Sequence, residues 1–286
     1  MAFDINAVID AALNEDIVDY HGKIPTGDHS ALACISADSA VNARLLCKAE
    51  GIIAGVELAE MICQRVDSKM EFKKLLNDGV SIKPGDVAFT LHGDAKSLLR
   101  AERVLLNFMQ RMSGIATLTS QYVKAIEGTN AKILDTRKTT PTLRYFEKWA
   151  VRIGGGHNHR QGLYDMIMLK DNHIDFCGGI EKAILAVEAY QQKTGLQLPV
   201  EVETRNLNEV EQVLKVGKVT RIMFDNFSPD LMREAVALVN YSFETEASGG
   251  INLHTVRSYA ETGVDYISVG ALTHSAGSLD LSLKAY

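Results

Sequence analysis

PVEVETRNLNEVEQVLKVGKVTRIMFD, residues 199–225, reads as strand, loop, helix and strand. One short apolar run ends on Glu203, a helix fits about 207–216, and the run RIMFD ends on Asp225. The same unit recurs on both sides. AKILD (131–135) leads into Thr136, Arg137 and Lys138, and VRIGGG (151–156) leads into His157, His159 and Arg160. MIMLK ends on Lys170, TEAS leads into Ser248-Gly249-Gly250, and YISVG ends on Gly270. Helices at about 179–194, 229–240 and 252–262 separate the later strands. This alternation predicts a parallel sheet with right-handed crossovers, closed as a barrel. The candidates number only about six or seven, short of the usual eight. Carboxyl ends of barrel strands converge on one rim, and a rim rich in cations, with Glu203, Asp225 and two glycine-bearing turns, suits a polyanionic substrate.

The first hundred residues differ in character. MAFDINAVIDAALNEDI predicts an amphipathic helix, and YHGKIPTGDHS (20–30) is a loop rich in turn formers. Alternation in 31–55 suggests antiparallel strands, and VELAEMICQRV (56–66) has helical spacing. MEFKKLLNDG and DVAFTLHGDA read as strands around the turn Lys83-Pro84-Gly85-Asp86. A long helical region follows from about Lys96 to Ile126, with a break expected at Ser113-Gly114. The expected division is an α+β domain over 1–112 and a β/α domain over 113–272, with the alternating tail 273–286 rejoining the first.

The chain has 286 residues, 46% hydrophobic content and a formal net charge of −6. That length supports a sizeable core, and the acidic balance does not invite nucleic acid or an acidic membrane. Arg, Lys and His concentrate between 137 and 173 against that balance, which points to a small anionic ligand. Cys34, Cys47, Cys63 and Cys177 are too scattered for a zinc motif or a disulfide framework, and read as thiols in a reducing compartment. The N-terminus lacks the basic region of a signal peptide, and no stretch approaches a membrane span. A cytoplasmic protein is expected.

Each candidate string has a plainer reading. In DTRKTTP (135–141), Arg offers a planar fork and Lys a point charge for carboxylate or phosphate. A lone Arg-Lys pair is ordinarily a solvated turn, but Arg144, Arg152, Arg160 and Lys170 follow closely. GGGHNHR (154–160) allows close backbone approach, and its His-x-His spacing could hold a metal, as in a zinc-type hydrolase. Arg160 and Lys170 weaken that reading, since they would repel a dication. Lys170 in LKDNH could form a Schiff base or bind an anion. Glu203 and Asp225 could hold Mg²⁺ against a pyrophosphate, bind ribose hydroxyls, or only balance Lys138 and Lys170. Glu201 should face the same side as Glu203 at another depth. Ser248-Gly249-Gly250 and Val269-Gly270-Ala271 each precede a helix, an arrangement suited to phosphate.

AERVLLNFMQRMSGIAT (101–117), DTRKTTP, GGGHNHR, LKDNH, VEVE, FDNF (224–227), ASGGI (247–251) and GVDYISVGALTHS (263–275) occur in this order. Together they resemble quinolinate phosphoribosyltransferase, over nearly the whole chain. The resemblance implies an α/β N-terminal domain joined to an incomplete barrel of about seven strands, of the type II phosphoribosyltransferase kind. It implies transfer from phosphoribosyl pyrophosphate to quinolinate with decarboxylation, in NAD biosynthesis, with Mg²⁺ as cofactor. It also implies a homodimer in which Arg103 reaches quinolinate in the partner subunit's site. Thr136, Arg137, Lys138, His159, Arg160 and Lys170 match the quinolinate positions. Lys138, Lys170, Glu203 and Asp225 match the catalytic set, with Glu203 and Asp225 near the ribose and the Mg²⁺-pyrophosphate. Ser248, Gly249, Gly250, Val269, Gly270 and Ala271 match the 5-phosphate cradle. Thr142 stands where the family often has glycine, and Trp149 where tyrosine is common. A Schiff-base lyase and a phosphate-binding paralogue without activity are the competing classes, and a phosphoribosyltransferase for another pyridine acid is the nearer rival.

Overall fold

The computed structural model describes residues 3–37 and 39–286. They divide into two compact units, one of residues 1–117 with 277–286 and the other of 118–276.

The first unit contains α1 (Ile5–Ile17), α2 (His29–Cys34), β1 (Ala40–Cys47), β2 (Gly51–Ile52) and α3 (Val56–Val66). It continues with β3 (Glu71–Lys74), β4 (Ser81–Ile82), β5 (Val87–Asp94) and the start of α4 (Ala95–Ala125). Asp4 caps α1 by accepting from the Ala7 amide at 3.2 Å, which satisfies one donor of the open first turn. β1 lies between β5 and the C-terminal strand Leu281–Ala285, both antiparallel to it, and β3 completes the sheet beyond β5. Leu45 stands opposite Leu283, and Ala43 opposite Leu91, so one face of the sheet is apolar and buried. Residues 31–34, expected to begin a strand region, instead lie in α2 behind an Asp28 cap.

The expected break at Ser113-Gly114 is absent, because α4 runs unbroken for 31 residues, about 46 Å at 1.5 Å per residue. The glycine serves close approach instead. A Cβ on Gly114 would lie 1.7 Å from the carbonyl oxygen of Gly277. Ser113 bonds both the amide and the carbonyl of Ala54, at 2.9 and 3.1 Å.

The second unit contains β6 (Lys132–Leu134), α5 (Arg144–Ile153), β7 (Ile167–Leu169), α6 (Asp171–Cys177), α7 (Ile180–Thr194) and β8 (Val200–Thr204). It continues with α8 (Leu207–Val216), β9 (Arg221–Asp225), α9 (Pro229–Val239), β10 (Glu244–Ser248), α10 (Val256–Ala260), β11 (Tyr266–Ser268) and α11 (Ala271–His274). Six strands pair in the order β6-β11-β10-β9-β8-β7, all parallel. The count of about seven therefore gives way to six. VRIGGG, taken as a strand, is the last turn of α5 followed by a glycine turn. Phe146, Ala150 and Val151 bury one stripe of that segment, a helical and not a strand spacing. What remains of a seventh strand is one bridge, from His157 to Leu134. The helix expected over 252–262 is confined to α10.

Period two decides what each face of this sheet does. Val202, Ile222, Phe224 and Ala247 are fully buried, as are Val210 and Val213 on α8 and Met232 and Ala235 on α9. Alternate positions carry Glu201, Glu203, Arg221, Asp225, Glu246 and Ser248. Parallel strands covered on both faces are ordinarily near-continuous apolar runs; the alternation marks a polar inner face. The sheet also curls strongly. His159 lies two residues past the bridge to β6, yet its Nε2 is 2.9 Å from Glu201 on β8, four strands along the ladder. In a flat sheet that separation would be about 19 Å.

Candidate active site

The carboxyl ends of the six strands surround a cavity of about 710 Å³. β6 delivers Thr136, Arg137 and Lys138 to it, β7 Lys170, β8 Glu203, β9 Asp225, β10 the Ser248-Gly249-Gly250 turn, and β11 Gly270 and Ala271. His159 and Arg160 enter from the loop after α5. All these residues lie within the second unit. Two expected residues are not in the cavity wall. Arg103 is exposed on α4 in the first unit. Val269 is buried and its N–H donates to the Leu134 carbonyl at 2.9 Å, which leaves no amide for a phosphate.

One side of the cavity is a backbone turn. Gly249 has φ +103°, and a Cβ there would lie 2.2 Å from Asn226 Oδ1 and 2.8 Å from the Asn226 amide nitrogen. Only glycine lets this turn close against β9. The Asn226 amide donates to the Ser248 carbonyl at 2.9 Å, and its side chain donates to Asp225 Oδ2 at 2.7 Å. Across the turn, a Cβ on Gly270 would lie 3.1 Å from Lys138 Cδ. Thr273 braces the same lysine, donating to its carbonyl at 2.8 Å.

The other side is cationic. Burial lowers the Arg160 pKa, and the neighbouring Arg137 guanidinium lowers it further. Two guanidinium groups held close enough to repel each other gain from a dianion between them. Lys170 Nζ meets Glu203 Oε2 at 2.5 Å, so the ion pair foreseen as an alternative is present at one of the two carboxylates.

Beneath the cations lies a buried support. Asp135, at the end of β6, accepts from Lys148 Nζ, from Asn158 Nδ2 at 2.5 Å and from the His159 amide at 2.9 Å. Lys148 on α5 also donates to the His159 carbonyl at 3.0 Å. Burial raises the Asp135 pKa and lowers that of Lys148, and their mutual attraction opposes both shifts. This quartet pins the loop that carries Arg160 to the end of β6. Deeper still, His159 Nε2 faces Glu201 and Glu246, and Arg221 holds Glu246 Oε2 at 2.7 Å. Burial pushes the Glu246 carboxyl up to about 7, and Glu201 is raised for the same reason.

Comparison with known proteins gives this geometry its context. Residues 28–113 match the N-terminal domain of quinolinate phosphoribosyl transferase, and residues 115–284 match its C-terminal domain. The chain belongs to the quinolinate phosphoribosyltransferase family. It is 47% identical to quinolinate phosphoribosyltransferase [decarboxylating] 1b of Nicotiana tabacum, across 99% of this chain and 82% of the relative. It is 43% identical to the probable nicotinate-nucleotide pyrophosphorylase [carboxylating] of Bacillus subtilis, across 91% and 88%. Among solved structures, NadC from Streptococcus pyogenes superposes with a TM-score of 0.91 at 39% identity, covering 100% of this chain and 98% of that one.

For a family member, Thr142 carries a backbone cost. It has φ +68°, in the left-handed region that favours glycine. A β-branched residue there is strained by about 1–2 kcal/mol. Trp149, the other departure, packs edge-on against Tyr145 with centroids 6.2 Å apart.

Several wall residues were not foreseen: Met168, Met223, Asn226, Glu246, Ile251, Ser268 and His274. Glu246 was within reach of the sequence, since it stands two before Ser248 and period two puts both on one face. Lys148 was not, because a lysine inside a helix reads as a surface residue.

Proposed function

We propose that this protein transfers the phosphoribosyl group of phosphoribosyl pyrophosphate to quinolinate and releases pyrophosphate and CO₂, giving nicotinate mononucleotide. The observation that carries this reading is that one cavity gathers the cations Arg137, Lys138, Arg160 and Lys170, the carboxylates Glu203 and Asp225, and the glycine turns at Ser248-Gly249-Gly250 and Gly270, with Lys138 packed against Gly270. The curled six-stranded sheet, with its bridge at His157, is read as the incomplete barrel of this family.

Quinolinate carries two carboxylates, which the paired guanidiniums and the lysines would hold, with Thr136 alongside. The sugar 5-phosphate fits the glycine turns, whose backbone can approach a ligand closely. This orients the ring nitrogen toward C1 of the ribose. As the N–C bond forms and the C–O bond to pyrophosphate breaks, positive character builds on the sugar, which Glu203 and Asp225 would favour. Lys138 and Lys170 would offset charge on the departing pyrophosphate. The product ring nitrogen is cationic, so it stabilises the electron pair left on the adjacent ring carbon when the carboxylate there leaves as CO₂, and that carbon then takes up a proton. No side chain has to remove a proton from the attacking nitrogen.

The residues also suit Mg²⁺. Glu203 is engaged by Lys170 and Asp225 by Asn226, so these two carboxylates would hold the ion through its waters, with phosphate oxygens completing its shell. When bound, Mg²⁺ would neutralise the pyrophosphate charge. The proposal extends to a homodimer in which Arg103 of one subunit reaches the quinolinate of the other. Its support is the solvent-exposed guanidinium position on α4.

The deciding experiment incubates the purified protein with quinolinate, phosphoribosyl pyrophosphate and Mg²⁺, and quantifies nicotinate mononucleotide and CO₂, with nicotinate in parallel. Equimolar products from quinolinate and little from nicotinate are expected. No product from quinolinate in protein that still binds phosphoribosyl pyrophosphate would refute the assignment and point to another acceptor acid.

A further inference from the structure

Arg144 closely follows the DTRKTTP loop and would pass for another cation of the site, yet it does not line the cavity. It opens α5, where a cation opposes the helix dipole. Its guanidinium is turned instead to three neutral acceptors. Nε donates to the Thr139 hydroxyl at 3.0 Å, Nη1 to the Gln161 carbonyl at 3.1 Å, and Nη2 to the Arg137 carbonyl, a longer bond at 3.5 Å. Arg137 and Thr139 belong to the loop after β6, and Gln161 directly follows Arg160 in the loop after α5. One side chain thus ties together the two backbone segments that carry the paired guanidiniums.

Each segment is gripped at a further point. Glu147, buried one turn along α5, accepts from the Thr140 amide at 3.1 Å and from the Thr140 hydroxyl at 2.7 Å. Asp165 accepts from the Gln161 and Gly162 amides at 2.6 and 2.9 Å. Gln161 is therefore held through its N–H by Asp165 and through its carbonyl by Arg144. Arg160 Nη1 itself donates to the Met166 carbonyl at 3.3 Å. The tie matters because the guanidiniums of Arg137 and Arg160 are close enough to repel. With no anion between them, that repulsion acts to spread the two loops apart.

We propose that Arg144 is a positioning residue that sets the spacing between Arg137 and Arg160, and so fits the cavity to two carboxylates on adjacent ring atoms. The inference rests on reading that cavity as the quinolinate site. A planar guanidinium presents its N–H groups in a rigid fork and can span three acceptors, whereas the ammonium of lysine is a compact point charge. A residue that only drew anions toward the cavity would be replaced by lysine without loss. A spacer between two loops would not.

The test is calorimetric binding of two probes to the full-length wild type, Arg144→Lys and Arg144→Met. Phthalate carries its carboxylates on adjacent ring carbons, as quinolinate does, and isophthalate carries them one carbon further apart. Neither has a ring nitrogen, so neither turns over. The wild type should prefer phthalate. Arg144→Lys should weaken phthalate at least about tenfold and isophthalate much less, which narrows the preference. Arg144→Met should do the same, with the quinolinate KM raised at least about tenfold and the KM for phosphoribosyl pyrophosphate within about twofold of wild type. Wild-type affinity and preference in Arg144→Lys would overturn the proposal, since charge alone would then suffice. Equal weakening of both probes and of phosphoribosyl pyrophosphate, the mark of a general loss of structure, would overturn it too. Should Arg144→Met fail to fold, the lysine variant still decides the question. A wild type that binds neither probe would refute the dicarboxylate reading of the cavity and this inference with it. A wild type that prefers phthalate, with variants that match it, would refute this inference alone.

Discussion

Replacing Lys148 with Met removes one end of an ion pair whose side chains are 2% and 0% exposed. Asp135 stays buried, with the His159 amide and the Asn158 side chain as its remaining donors. Breaking one end of a buried pair costs about 3–5 kcal/mol. The surviving hydrogen bonds put the expected loss near the lower figure, about 3 kcal/mol, a large part of a domain stability of about 5–15 kcal/mol. The loss should depend on pH. Burial already raises the Asp135 pKa from 3.8, and the charge and hydrogen bond of Lys148 are the largest opposing influences. Without them it rises further, so the folded variant binds a proton that the unfolded chain has released. Its stability therefore increases as pH falls toward the unfolded carboxylate value, and the deficit against wild type shrinks. Trp149 is the only tryptophan and adjoins Lys148 on α5, so its fluorescence in urea titrations at pH 8, 6 and 5 reports the relevant unit. Asp135→Asn on the Lys148→Met background should recover part of the loss at pH 8. A deficit below about 1 kcal/mol at pH 8, well under the buried-pair range, or one that grows on acidification, would refute this account. The variant also loses the bond to the His159 carbonyl, so its quinolinate KM should rise.

Three further outcomes follow from single positions. Gly249→Ala places a methyl against the Asn226 amide, and should raise the KM for phosphoribosyl pyrophosphate about tenfold or more while quinolinate binding changes little; equal effects on both substrates would argue against a phosphate turn. Thr142→Gly relieves a left-handed threonine and should add about 1 kcal/mol of stability, read as a higher Tm, whereas an unchanged or lower Tm would show no strain there. Glu246 has its carboxyl raised from 4.5 to about 7, so its stabilising contribution is complete below 4.5 and is lost as pH rises toward 7. Glu246→Gln should flatten stability between those values, a change of at most about 3 kcal/mol, and an unaltered pH profile would count against burial as the cause.

The legible part of the site was the part that sits at strand ends. Glu203, Asp225, Lys170 and Ser248 were found because each closes an apolar run, and closure at the carboxyl end of a parallel strand fixes a residue's place without further information. The errors fell where one spacing serves two structures. VRIGGG is apolar enough for a strand, but Phe146, Ala150 and Val151 make it a helical stripe, visible only when the run is read back into Arg144. Ser113-Gly114 reads as a break, yet its glycine makes room for Gly277, 163 residues later in the chain. No local pattern announces so distant a partner.

The sequence by itself determined the βα alternation, the strand-end places of Glu203, Asp225 and Ser248, and the family, because these follow from period and from long ordered strings. Tertiary structure decided what lies beneath the cations: that Lys148 turns inward to Asp135, that Arg221 joins Glu246, and that His159 is buried beside Glu201 and Glu246. Those partners come from different strands and helices, and burial gives their charges and protons their positions. A linear chain records which groups are present; only the curled sheet determines which of them must share a dry interior.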